Sequence, residues 1–410
     1  SVSSGGSLQQ PNGNASMDVL WTTLPGTVTV QVTDPLTTCT TTETMTVTQN
    51  CSAADLYMKD HPIDPGTEPG LSSGPMWTSQ DIWIRNSQDP PPFAQQHVHE
   101  NPVYAAGTPN YVYVKVRNRG QAASAGTEQL KLYWAKASTG LSWPTPWNGG
   151  SYFGVPPNMP KGDLIATQTI PVVAPNADVI LEFPWYPEDP DSYASIFGLD
   201  KSHYCLLARI ETDPLPPYGM SNAETANLHH NVQYNNNIVW KNITFVDASS
   251  GYGGSGSVLI GPLLDPTRAT VLQLGLRQDE GDDFMAHGIV QLTVDGDFAK
   301  RLRADEVELK GLEWKDERTL LITGPEATLA NVRLRPKEQP VLLFDFSWKP
   351  RSRVKSGKDY QFIVVQLEQD EKGARHVVGG ETFLVRKPRD EEAPKKRFWL
   401  WRWLFRLFGK

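Results

Sequence analysis

The chain has 410 residues and a net charge of −8, too long for one sandwich and enough for two to four domains. Thirteen Trp and 10% aromatics exclude a wholly disordered chain, and 33 Gly with 33 Pro suit short strands and turns more than long helices. An acidic body gives no support to nucleic-acid binding.

The charge is unevenly spread. Residues 1–50 hold three acids and no Lys or Arg, whereas residues 395–410 hold six bases and no acid. A cationic tail on an acidic body is the strongest electrostatic statement in the chain.

From the N-terminus, strands are expected over Val19–Thr22, Gly26–Thr33 and Thr42–Thr48, with Thr and Val alternating until Asp34-Pro35 stops the run. Cys39 and Cys51 flank this last segment. They are a candidate disulfide in an oxidising compartment, although spacing does not place their Cα atoms. No cysteine spacing matches a zinc ribbon or a redox CxxC pair. No signal peptide is visible, no run reaches the ~18 apolar residues of a membrane span, and the start at Ser1 reads as a processed or truncated end. The stretch Trp21-Thr-Thr, Gly26-Thr-Val-Thr-Val-Gln-Val-Thr33-Asp34 and Cys39 resembles the last strands of a PKD-like repeat of secreted bacterial surface proteins. The resemblance implies a partial repeat over residues 1–51, lacking its early strands.

Residues 52–247 read as one unit with strands Ile82–Arg85, Tyr111–Arg117, Gln129–Ala135, Leu164–Val173, Val179–Phe183, Tyr204–Ile210 and Ile238–Val246. Val112, Val114 and Val116 alternate with Tyr111, Tyr113, Lys115 and Arg117, the period of a strand with one buried and one solvated face. Two Pro- and Gly-rich excursions, 54–80 and 139–161, need their Trp and Tyr side chains to order them. Asp55-Leu-Tyr-Met-Lys-Asp60, Asp81-Ile-Trp-Ile-Arg85, Asn101-Pro102, Asn110 through Gly120, and Asn235-Asn-Asn-Ile-Val-Trp-Lys-Asn-Ile-Thr244 occur in that order. Together they resemble the cell-adhesion-related (CARDB-like) β-sandwich of secreted bacterial proteins. That resemblance covers most of 55–247 and implies an immunoglobulin-like sandwich, found beside adhesive repeats and secreted peptidases, with no catalytic residues to carry over.

Residues 248–257 read as a Gly/Ser linker by composition. Over residues 247–394 charged residues rise to 46 of 148, against 29 of 196 over residues 51–246. Residues 258–390 are expected to form a further, charged sandwich with strands Thr270–Arg277, Ile289–Val294, Val341–Trp348, Phe362–Leu367 and Thr382–Val385, and a helical turn or two at Asp297–Arg303. The fold class is therefore all-β, tandem immunoglobulin-like β-sandwiches ending in a short C-terminal amphipathic helix over 391–410.

That tail is the sharpest functional signal. On a helical wheel Lys395, Arg402, Arg406 and Lys410 fall within roughly 80° of each other, with Arg397 on the other side. Phe398, Trp399, Leu400, Trp401, Trp403, Leu404, Phe405, Leu407 and Phe408 occupy the rest. Phe398 to Phe408 would rise only about 16 Å, half of a bilayer core, so the segment suits an interfacial helix or a docking helix, not a span. Residues 398–408 are accordingly the candidate site for an anionic membrane surface or for a protein partner, including a second copy.

Other constellations carry less. His97-Val-His99-Glu100, with His61, His229 and His230, invites a metal, yet no HExxH or HxxEH order occurs and a loop explains it. Asp55, Asp60, Asp64 and Glu68 crowd one loop, but not with the spacing of a calcium-binding EF-hand; solvated acids beside turns explain them better. Cys205 reads as a buried core thiol. No nucleophile elbow or phosphate loop occurs, and no catalytic residue, metal or cofactor is assigned. The reading is a non-enzymatic, secreted or surface adhesive or structural protein of bacterial type. Its rivals are the accessory sandwiches of a secreted hydrolase and a membrane-active effector working through the tail.

Overall fold

A computed structural model describes residues 1–387 apart from 3–5, 9–18, 22–25, 34–38, 48–52, 71–74, 94–97, 155–157, 198–202, 249–253, 262–267, 277–282, 305, 336–337, 351 and 353. Residues 391–410, Cys51 and His97 therefore lie outside the described residues. The fold is all-β, with two tandem β-sandwiches after a small N-terminal β piece. In that piece Gly26–Thr33 pairs antiparallel with Thr40–Val47, and Gly6–Leu8 with Val19–Trp21.

Asn110–Asn118 is the central strand of the first sandwich. Asp178–Trp185 pairs along one edge, and two short strands, Leu56–Tyr57 and Ile82–Arg85, share the other. Val112, Val114 and Val116 are fully buried, as the alternation requires. The outward face is not simply solvated. Tyr113 is buried as well, stacked on Trp83 at 5.5 Å, because the loop over 86–93 covers it and Asp89 N–H donates to its hydroxyl at 2.8 Å. The facing sheet runs Gly162–Thr169, Gln129–Lys136, Tyr204–Glu211, Ile238–Lys241. Leu130, Leu132, Leu206, Ala208 and Ile210 close the core between the two sheets.

The second sandwich packs a six-stranded sheet on a five-stranded one. The first runs Ile243–Asp247, Arg375–Arg386, Asp359–Gln369, Ala269–Leu274, Ala327–Val332, Glu308–Lys310. The second runs Gly254–Leu259, Val341–Trp348, Gly288–Thr293, Thr319–Ile322, Leu312–Trp314. Between them Phe344, Phe346, Phe362 and Phe383 form a ring cluster with centroids 5.3 to 6.5 Å apart, in the offset and tilted geometries that aromatic quadrupoles favour. The helix expected near Asp297–Arg303 is Gly296–Ala304, and it buries Phe298, Ala299 and Leu302.

Two expectations are corrected. The strand expected over Ile238–Val246 breaks at Asn242. Ile238–Lys241 stays antiparallel in the first sandwich, while Ile243–Asp247 pairs parallel to Arg375–Arg386 in the second. The Gly/Ser stretch read as a linker over 248–257 is, from Gly254 onward, the strand Gly254–Leu259. Its composition answers to packing: a Cβ on Gly256 would lie 2.4 Å from the Phe383 ring, so only glycine lets this strand close over the aromatic cluster.

A third apolar layer joins the sandwiches. Tyr133, Ala135, Cys205, Leu207 and Trp240 on one side meet Val271, Ala330, Ile363, Val365 and Leu367 on the other. Every residue of Tyr204–Glu211 is buried because both of its faces are covered. The expected core thiol, Cys205, lies in this layer, and burial pushes its pKa well above the usual thiol range.

Candidate functional site

The junction between the sandwiches is built around Asn242, fully buried at the strand break. Its N–H donates to Trp77 O at 2.9 Å and its carbonyl accepts from Thr382 N–H at 3.1 Å. Its side-chain amide donates to Ser138 O at 3.2 Å and to Gly380 O at 2.8 Å. One residue thus ties segments of both sandwiches through groups that would be costly to bury unpaired. Around it the Trp77 indole N–H donates to Thr382 Oγ1 at 3.1 Å, and Thr139 Oγ1 donates to Gln366 Oε1 at 2.5 Å. His203 Nε2 and Glu381 Oε1, both buried, lie 3.2 Å apart. Trp77 and Trp147, both buried, anchor the two long excursions, as their aromatic content led one to expect.

Lys241, the residue before the break, is buried with its ammonium donating to Ser79 O at 2.8 Å. Burial pushes its pKa down to about 7, with Asp81 pulling the other way.

Beside the junction a cleft of about 530 Å³ opens between the helix Leu228–Tyr234 and the outer face of the six-stranded sheet. Asn227 caps the helix, its side chain accepting from His230 N–H at 3.1 Å, and Leu228 and Val232 anchor it in the shared core. This orientation brings His229, His230, Gln233 and Tyr234 to the cleft, facing Gln273, Arg375 and His376, with Trp77 at its base. His230 and Tyr234, one turn apart, stack at 4.3 Å. The Nδ1 atoms of His229 and His230 are buried and have no hydrogen-bond partner among the described residues. Burial, then the neighbouring His230, lowers the His229 pKa to about 4. Sequence reasoning singled out His229-His230 but missed the helix that presents them, since seven residues are too few for a 3.6-residue period to stand out.

The other sequence candidates fall elsewhere. The tail residues 398–408 lie outside the described residues, as does Cys51; Cys39 is exposed just before the Thr40–Val47 strand. His99 Nδ1 accepts from Ile84 N–H at 3.1 Å, and burial, then Lys241, holds the imidazole well below its usual pKa. Among the described residues no three His, Cys, Asp or Glu are grouped to hold a metal, and no helix is long and apolar enough to cross a membrane.

The acidic loop is not a set of solvated acids. Asp60 and Asp64 are buried: Asp64 accepts from Gly66 N–H at 2.7 Å and from Asp60 N–H at 3.2 Å, and His61 pairs with Asp60. Burial and the Asp64 carboxylate push Asp60 up to about 6. Asp55 pairs with Arg119 at 3.2 Å, and Glu68 accepts from Asn236 N–H at 2.8 Å, so these acids brace the loop against the sandwich.

No family model matches the chain, and no curated protein matches it. Solved structures similar to it include the collagen-binding subdomain of the Enterococcus faecalis surface protein ACE, at 9% identity over 35% of this chain and 94% of that one, TM-score 0.22. The collagen adhesin CNA from S. aureus is similar at 8% identity over 68% of this chain and 88% of its own, TM-score 0.23. The CupB6 tip adhesin from Pseudomonas aeruginosa is similar at 10% identity over 76% and 99%, TM-score 0.17. At these scores the likenesses assign no ligand or partner to this chain.

Proposed function

We propose that this chain is a non-enzymatic, secreted or cell-surface bacterial protein of adhesive or display type, whose body is held at a membrane surface or on a partner subunit by residues 395–410. The observation that carries this reading is a two-sandwich body with a buried junction, joined to a terminal segment of three Trp, three Phe, six bases and no acid. Aromatic rings bury at a headgroup boundary while Arg and Lys meet anionic lipid. The motifs of 55–247 that resemble the cell-adhesion-related module support the adhesive part.

Flotation with anionic liposomes tests the attachment. The full chain should float and a chain ending at residue 394 should not. Failure of the full chain to float would leave protein docking as the tail's work, and dye release would point to the membrane-active rival. Trp401→Ala with Trp403→Ala should weaken flotation more than Arg402→Ala, because burying two rings supplies more energy than one surface charge. Equal losses would contradict interfacial burial.

A further inference from the structure

We propose that the cleft between the Leu228–Tyr234 helix and the second sandwich binds an acidic sugar unit of a polysaccharide. The sugar carboxylate sits on Arg375, and its hydroxyls and ring face meet the imidazoles, amides and rings around it. This goes beyond the adhesive reading and does not depend on the tail.

Size, charge and polar chemistry agree. At about 530 Å³ the cleft falls within the range of about 300–1,000 Å³ typical of small-ligand sites, and it lies at a junction of domains, where such sites concentrate. No carboxylate is among its described lining residues, although the chain as a whole carries −8. Arg375 is exposed there, and among the described residues only its Nε is engaged, donating to Gln369 Oε1 at 3.0 Å. Its terminal nitrogens are left to grip a carboxylate in a planar fork. The lining is otherwise planar and polar. Among the described residues the side-chain amides of Gln233 and Gln273, which line the cleft, make no hydrogen bond.

Sugar is favoured over peptide by the sheet. An extended peptide gains affinity by adding to an open strand edge. The strands behind this cleft have little to offer: Ala269–Leu274 and Asp359–Gln369 have a paired neighbour on both sides, and where Arg375–Arg386 runs ahead of its parallel partner, which pairs only from Thr382, the cap of the Leu228–Tyr234 helix lies alongside and Asn227 Nδ2 donates to Val377 O at 3.2 Å. What the cleft presents instead is the half-buried Tyr234 ring and the imidazoles, with His376 exposed, beside the amides of Gln233 and Gln273 as donors and acceptors for hydroxyls.

The test is calorimetric titration of the full chain with oligosaccharides containing glucuronate, galacturonate or sialate, with their carboxyl-reduced counterparts, and with tetraglutamate. At least one acidic sugar should bind, and its carboxyl-reduced form should bind about tenfold more weakly, the worth of one charge-assisted pair. Arg375→Gln should lose about tenfold for the acidic sugar and abolish discrimination against the reduced form, with an unchanged Tm. Because both proteins keep the cationic tail, that comparison isolates the cleft. Gln273→Ala should weaken acidic and reduced sugars alike. The proposal is overturned if none of the three acidic sugars binds, if Arg375→Gln discriminates as well as the parent, or if tetraglutamate binds as tightly as the best sugar.

Discussion

Asn242 is where the two sandwiches are tied together. Its four hydrogen bonds reach Trp77, Ser138, Gly380 and Thr382, and all are sheltered from water. Asn242→Ala removes the two side-chain donations and leaves two buried carbonyls short of a donor, offset in part by removal of the buried Oδ1, which has no partner among the described residues; the net cost should be about 1–3 kcal/mol, read as a lower urea midpoint at unchanged slope. A loss below about 0.5 kcal/mol, the scale of an ordinary surface substitution, would show that the amide is not holding the junction. Lys241, one residue earlier, gives a pH signature. Its folded pKa of about 7 lies below the 10.5 of a free lysine. Between those values the unfolded chain binds the extra proton, so this group makes stability rise with pH, and below about pH 7 the full cost of burying the ammonium is present. Lys241→Met should therefore raise Tm more at pH 6 than at pH 10. An equal change at both would mean that the lysine is not charged and buried as placed. The local sequence Trp240-Lys-Asn-Ile243 carries no trace of either role, because both depend on groups more than 100 residues away in sequence, such as Gly380 and Ser138.

At the scale of elements, most strands of the first sandwich were legible, since Val112, Val114, Val116 and their like repeat with a period of two. The illegible ones have physical reasons. Gly254–Leu259 looks like a linker because its glycines make room for an aromatic ring. Leu312–Trp314 and Glu308–Lys310 are three-residue strands, too short to show a period. The helix Leu228–Tyr234 is set by the Asn227 cap and by burial of Leu228 and Val232, and it turns an uninformative His-His pair into one wall of a cleft. Close approach matters again where the sandwiches meet. A Cβ on Gly261 would lie 2.1 Å from the Gly140 carbonyl oxygen, backbone against backbone. Gly261→Ala should thus destabilise by about 1–3 kcal/mol, the usual range for overpacking, by thermal or urea unfolding. A neutral result would show that the two segments can part.

For the whole molecule, the shared apolar layer makes the sandwiches depend on each other. They should unfold together: tryptophan fluorescence and far-ultraviolet dichroism are expected to give coincident urea transitions, and two separated transitions would show that the junction does not couple them. Much of this body could be foreseen and much could not. Strand alternation, turn residues and the segregation of charge into residues 395–410 are local patterns, so the sequence by itself determined the all-β class, the central Asn110–Asn118 strand and the candidate tail. Which sheet covers the second face of Tyr204–Glu211, where the chain leaves one sandwich for the other, and which imidazoles meet Arg375 were decided only by tertiary structure. These depend on pairings between segments far apart in the chain, and a strand buried on both faces or a pivot asparagine has no period for a local reading to detect.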